Sequence, residues 1–249
     1  LDVGNYSIPE SVNTIEDYAF IQCKKLTAIN IPATVKKVGI DAFNGCSGLT
    51  TVAIPDSLTA VSNGMFDGCT GLTSVTLPDS ITSITARAFC DCSSLASITI
   101  PASVSFIGGR AFDGCSSLIS IDIPEQVTAI GFGAFEGCTN LSHVTIPNSV
   151  TVIENDVFHN CSNLKDITIP VSVTAIRRFA FEGCASLTDI YFSGSKENWN
   201  NISIEEYNDN LKSATIHYNT YSIKKNGTYL LRIIDEATSE LINNATLTY

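Results

Sequence analysis

The chain has 249 residues, with 25 acidic against 14 basic side chains and a formal net charge of −11. A surface of that sign argues against nucleic acid and against anionic membrane as partners, because both reward a basic face. No apolar run approaches the ~20 residues that a membrane-spanning helix needs, so no membrane insertion is expected.

Length alone would suit one large domain or two, but a strict period overrides that choice. All eight prolines lie 23 residues apart, from Pro9 and Pro32 to Pro147 and Pro170. Eight of the nine cysteines (Cys23 to Cys184) and eight phenylalanines (Phe20 to Phe181) keep the same interval. Three unrelated residue types in one phase mean stacked repeats, whose core grows by one coil per copy. Residues 1–8 close on Tyr6-Ser7-Ile8, which reads as the end of an upstream repeat or an N-terminal cap. The chain opens mid-repeat, so we expect either a mature fragment or a trimmed piece of a longer product, and the lack of a visible signal peptide is uninformative.

Eight repeats occupy residues 9–192, each reading Pro-x-Ser-Val-x-x-Ile-x-x-x-Ala-Phe-x-Gly-Cys-x-x-Leu-x-x-Val-x-Ile. The closing Leu-x-x-Val-x-Ile alternates with period two. In the copy from Pro32 it points Val52 and Ile54 inward and Thr51 and Ala53 outward. Proline follows at once because it has no N–H to give to a ladder. The Val-x-x-Ile beyond it predicts a second short strand, and Ala-Phe-x-Gly-Cys predicts a single helical or 3₁₀ turn. The glycine column (Gly45, Gly68, Gly114, Gly137, Gly183) predicts a bend at positive φ, with Gln22, Asp91 and Asn160 in its place elsewhere. The serine two places after proline is expected to cap nearby backbone.

The cysteines form a file rather than a disulfide framework. Stacking sets neighbouring thiols ~4.8 Å apart with parallel side chains, which does not give the disulfide dihedral. They are expected reduced and packed as small hydrophobes. Cys90, out of phase beside Phe89, is expected to be exposed and oxidisable.

Taken together, Leu-x-x-Val-x-Ile-Pro-x-Ser-Val-x-x-Ile-x-x-x-Ala-Phe-x-Gly-Cys resembles the BspA-like leucine-rich repeats of bacterial surface proteins. The resemblance covers residues 9–192 and implies a right-handed solenoid, β-rich, with a parallel sheet on its concave face, short helical or 3₁₀ turns and a C-terminal cap. It also implies an extracellular or cell-surface setting and a role in adhesion or host contact. Residues 193–218 resemble the closing unit of such arrays: Ser195 suits the N-cap of a short helix, and Trp199 suits a plug over the last coil. Residues 219–249 form a strand-rich extension, with strands predicted at 229–235 and 245–249. Its Leu231-to-Leu247 stretch resembles the opening of a carboxypeptidase-regulatory-like β-sandwich, with Ser239 and Asn244 where that family carries glycines. It reads either as the start of such a module or as an extension of the cap.

Two outward columns run along the concave face. They begin with small residues (Ala28, Thr51, Ser74, Ser97; Asn30, Ala53, Thr76, Thr99). They end with Ser120, His143, Asp166 and Asp189 in one column and Asp122, Thr145, Thr168 and Tyr191 in the other. These last eight residues are the expected ligand-binding patch, polar and acidic with an aromatic end. Ser120, His143 and Asp166 have the composition of a nucleophile–base–orienter set, but parallel side chains on a sheet are expected to splay, and no oxyanion hole is apparent. No metal-ligand spacing and no phosphate-binding glycine loop is present, so no cofactor, metal or catalysis is expected. The sequence therefore points to a non-catalytic binding or adhesion module for a host, matrix or other surface protein. The alternatives are a rigid stalk displaying another domain, or a carbohydrate-binding accessory module.

Overall fold

The computed structural model describes residues 4–225, 228–234 and 241–247. Parallel strands stack as a solenoid of about 9 turns. The inward residues of each coil (Val or Ile of the strand, then Leu, Phe and Cys) form one continuous core along the stack. Phe43, Phe66, Phe89, Phe112, Phe135, Phe158 and Phe181 are fully buried. Each ring stacks on the next, with centroids 5.4–5.7 Å apart between Phe43 and Phe181. The file follows from equal spacing: identical coils put identical rings one above another, and offset parallel packing then fills the widest part of the section.

The main sheet pairs in register at 23-residue offsets: Thr51 opposite Ser74, and His143 opposite Asp166 opposite Asp189. It comes as two four-stranded parts. The first holds Asn5–Ser7, Ala28–Asn30, Thr51–Ala53 and Ser74–Thr76. The second holds His143–Thr145, Asp166–Ile169, Asp189–Phe192 and Thr215–His217. Between them residues 97–99 form no strand, and residues 120–122 keep a single bridge, Ser120 to His143. Two-residue strands after each proline, such as Lys37–Val38 and Phe106–Ile107, pair on a second side of the coil.

The segment around each phenylalanine is a run of tight turns rather than a helical turn. Alternate amides face different ways. Asp41, Phe43 and Gly45 donate forward to the next coil, to the carbonyls of Asn63, Met65 and Asp67. Asn44 and Cys46 donate back three residues, to Asp41 and Phe43. This needs positive φ twice per coil. Gly45, Gly68, Gly114, Gly137, Gly183, Gln22, Asp91 and Asn160 adopt it at the expected bend. A second column four residues earlier does so as well, including Tyr18, Asp41, Arg87, Arg110 and Phe179.

No disulfide forms among the described residues. Each in-phase thiol from Cys46 onward donates to the phenylalanine carbonyl of the coil before it, as in Cys46 Sγ to Phe20 O at 3.1 Å and Cys138 Sγ to Phe112 O at 3.2 Å. Burial pushes the Cys46 thiol up to about 11 and the Cys184 thiol to about 12, so both stay protonated at neutral pH. Cys90 departs from its expected exposure: it is buried, and desolvation followed by the charges of Asp67 and Asp91 pushes its pKa up to about 12. The reason is the stacking, which packs its column against side chains of the neighbouring coils. The serine hydroxyls reach further than local capping. Ser80, Ser103 and Ser172 donate to carbonyls 22 residues earlier, on the preceding coil, at 2.6–2.8 Å.

Past the repeats, Ser195 caps the helix Lys196–Asn200 through a capping box with Asn198. Trp199 is buried edge-on against Phe192, ring centroids 5.2 Å apart. A second helix, Asp209–Ser213, leads into Thr215–His217, which joins the main sheet. Thr220–Lys225, Thr228–Ile234 and Leu241–Leu247 then pair antiparallel with one another, unlike the parallel coils. The predicted strands at 229–235 and 245–249 fall within this unit except for Asp235, Thr248 and Tyr249, which lie outside the described residues, as does Ser239.

Candidate functional site

Along the first part of the main sheet the outward residues Thr51, Ala53, Ser74 and Thr76 are exposed and carry no ionisable group. The second part is built differently. His143 places Nδ1 on Asp166 Oδ1 and Nε2 at 3.2 Å from Thr145 Oγ1. One coil further, His217 Nε2 meets Asp189 Oδ1 at 2.7 Å, and Thr188 donates to the other Asp189 oxygen at 2.7 Å. The His217 hydrogen bond, reinforced by Thr188, holds the Asp189 carboxyl below the usual carboxylate range. Tyr191 stacks on His217 with ring centroids 4.9 Å apart. Desolvation, then the charges of Asp189 and Asp166, raises the Tyr191 hydroxyl above its ordinary value.

The eight expected patch residues therefore do not stand alike. Ser120 and Asp122 are exposed, while Thr145, Asp166, Asp189 and Tyr191 are half-buried. His143 and Thr168, expected to face water, are buried at 7% and 6% exposure. On a parallel sheet in register, long side chains of one column lie against those of the next coil. His143 is thereby enclosed by Asp166 and Thr145. The expected splay is corrected to this extent: imidazole and carboxylate converge, and the second imidazole nitrogen faces Thr145. The neighbouring strands pair in register on both sides of Asp166–Ile169, which commits their amides to the ladder rather than to a developing oxyanion.

Beside this patch, where the main sheet lapses, opens a cavity of about 400 Å³ lined by residues from Ile100 to Thr220. It takes in Asp122, Thr145 and Thr168 from the patch and adds Glu125, Gln126 and Asn148. These last three lie beyond the strand, at the proline turn, where the alternation of the sheet gives no signal. Gln126 stands where six other coils carry serine two places after proline.

One trio among the described residues brings donor atoms close enough for a metal ion: Asp67, Cys90 and Asp91. Its cation is already supplied by Arg87, whose Nε and terminal nitrogen lie 2.9 and 2.8 Å from Asp67. The protonated thiol adds a poor ligand.

The model of the BspA type leucine rich repeat region matches residues 2–119 and 106–229, with six copies. The chain belongs to the BspA-type leucine-rich repeat family. Its fold is similar to those of two solved bacterial leucine-rich repeat structures among others. A leucine-rich repeat protein from Bacteroides ovatus is 29% identical with a TM-score of 0.71, over 86% of this chain and 63% of that one. The T. pallidum leucine-rich repeat protein is 28% identical with a TM-score of 0.55, over 75% and 78%. This BspA-type chain thus spans less than two thirds of the B. ovatus protein's length. No curated protein matches it. Among the described residues no helix is long and apolar enough to cross a membrane.

Proposed function

We propose that this array is a non-catalytic recognition module of the bacterial cell surface, binding a host, matrix or other surface protein through the second part of its main sheet. The observation that carries the reading is the contrast within one repeated scaffold. The fold treats every coil alike, yet in the outward columns of the main sheet ionisable and aromatic side chains begin at Asp122, beyond which His143–Asp166 and His217–Asp189 are hydrogen-bonded pairs and Tyr191 is held by a stacked ring. Pairing pre-orders these side chains, so less entropy is lost when a partner docks. Half-buried carboxylates and an aromatic at the end of a polar strip suit a protein contact. The surface setting rests on family membership, and residues 193–218 serve as the closing cap of the array. An array of matrix proteins, secreted glycoproteins and glycans, probed with the wild-type chain and with an Asp166→Asn/Asp189→Asn/Tyr191→Ala variant, tests the reading. A protein hit lost in the variant supports it. Hits bound equally by both put recognition on another surface, and glycan hits alone favour a carbohydrate module.

A further inference from the structure

A second surface lies on the ridge formed by the first positive-φ residue of each phenylalanine turn. Gly64, Gly133, Asp41 and Asp156 place there the residue types that tolerate this backbone best. Arg87 stands there as well, with its guanidinium 2.8 Å from Asp67. Phe179, at φ 60°, and its successor in the cap, Tyr207 at φ 64°, put bulky rings where such rings are outliers. An outlier held in place by its surroundings is a sign of use.

The cap is built to hold this pair. In the repeats Phe112, Phe135 and Phe158 donate their amides to the next coil, to the carbonyls of Ala134, Val157 and Ala180. Phe181, at the end of the repeats, donates instead to the side-chain oxygen of Asn208 at 3.0 Å. Asn208 is fully buried, and its side-chain nitrogen donates to Arg177 O at 2.8 Å and Glu205 O at 3.1 Å. One asparagine thus imitates a coil and fixes the residue before it, Tyr207, against Phe179. The two rings stack with centroids 4.5 Å apart and 12° between their planes. Tyr207 remains 50% exposed, as a ring does when one face is covered and the other is open. The residues preceding the two rings pair across the same gap, Arg178 with Glu206 at 3.2 Å and Arg177 with Glu205 at 2.7 Å.

We propose that the Phe179–Tyr207 pair is a stacking platform for an uncharged pyranose ring of a glycan, on a surface separate from the protein-binding strip of the main sheet. A pyranose offers one face of C–H groups to lie on an aromatic ring, and a perimeter of hydroxyls that both donate and accept. Arg178 and Glu206 are exposed and answer that perimeter: their pairing leaves further guanidinium N–H groups and carboxylate lone pairs for a ligand. The two pairs also balance the four charges of the rim, which suits a neutral ligand better than an ionic one. Rings fixed beforehand by the cap lose little further freedom on binding.

The test is an NMR titration of the isotopically labelled full chain. Cellotriose, mannotriose and chitotriose are the uncharged probes, sialyllactose is the charged one, and a blocked pentaproline peptide stacks without offering hydroxyls. At least one uncharged sugar is expected to shift the signals of Tyr207 and Arg178. Tyr207→Gly, which suits the backbone there as Gly64 and Gly133 do, is expected to weaken that sugar about tenfold or more, and Tyr207→Phe to stay within about threefold. Tyr18→Gly makes the same change at the same place on a coil whose successor carries Asp41, and is expected to leave binding unchanged. No shift of Tyr207 with any uncharged sugar, tighter binding of sialyllactose or pentaproline, or equal loss in Tyr207→Phe or Tyr18→Gly overturns the assignment. The Asp166→Asn/Asp189→Asn/Tyr191→Ala variant is expected to bind the sugar as the wild type does, so the platform and the sheet reading fail separately. Loss of the sugar in that variant moves its site to the sheet and overturns the platform.

Discussion

The two parts of the main sheet share one core and differ in what they show to solvent. Behind both run the same files of phenylalanine, cysteine and leucine, buried throughout except at the first coil, where Cys23 is half-buried. In front, the first part presents small exposed residues, and the second presents two histidine–carboxylate pairs and a stacked tyrosine. Because coil geometry is held constant, whatever differs between the two fronts is not needed to build a coil. That separation is seldom available in a globular domain, where every surface patch sits on a different scaffold.

The largest expected effect probes the shared half of this comparison. Truncating one ring of the file, Phe66→Ala in the first part or Phe135→Ala in the second, removes a fully buried side chain stacked on two neighbours. Each is expected to lower unfolding free energy by ~3–5 kcal/mol in urea denaturation. Two values more than ~1 kcal/mol apart would show that the cores are not equivalent. The next effect probes the fronts. His143→Ala leaves Asp166 and Thr145 without their imidazole partner and is expected to cost ~1–3 kcal/mol. Thr51→Ala, on the corresponding exposed face, is expected to stay within ~0.5 kcal/mol. Similar values would mean that the second front is ordinary surface.

A smaller effect depends on pH and lies away from the sheet. Burial, then the charge of Glu136, pushes Asp113 up to about 6. A carboxyl whose folded pKa is raised binds more protons folded than unfolded, so stability falls as pH rises from the ordinary carboxylate value through about 6. Asp113→Asn removes that penalty. It is expected to stabilise the chain by ~1 kcal/mol above pH 7 and to have no such benefit below the ordinary carboxylate pKa, read from thermal melts at both ends. The mildest effect sharpens the site itself. The Asp189 pKa is lowered, so its pairing contributes stability above the ordinary carboxylate range and loses it as pH falls through the folded value. Carboxyl-carbon titration by NMR is expected to find Asp189 below the usual midpoint, and His217→Ala to return it towards that midpoint. An unchanged midpoint in His217→Ala would remove His217 as the cause.

Much of the fold was legible because a period constrains each coil at the same points. The interior columns, the glycine bend and the strand-ending proline each require one residue type, so repetition exposes them. The second positive-φ column was not legible, since Tyr18, Asp41, Gly64, Arg87 and Phe179 share no side-chain property. What they share is a backbone direction imposed by hydrogen bonds between coils, and that leaves no trace in composition. The candidate patch was half legible. Alternation placed His143 and Asp166 on one face, but not their burial, which depends on how side chains of successive coils lean together. Cys90 failed for the same reason: being out of phase identified it, yet its neighbours on adjacent coils decided its exposure.

The thiol file has a consequence for how such a chain can change its length. A cysteine that donates to the carbonyl of the coil beneath needs no second cysteine, so every coil carries its complete set of fastenings to the one before. Duplicating or deleting a coil strands no half-cystine and leaves the register of the remainder intact. The reach of the molecule can then be tuned by gene-level slippage, without reinventing its interior.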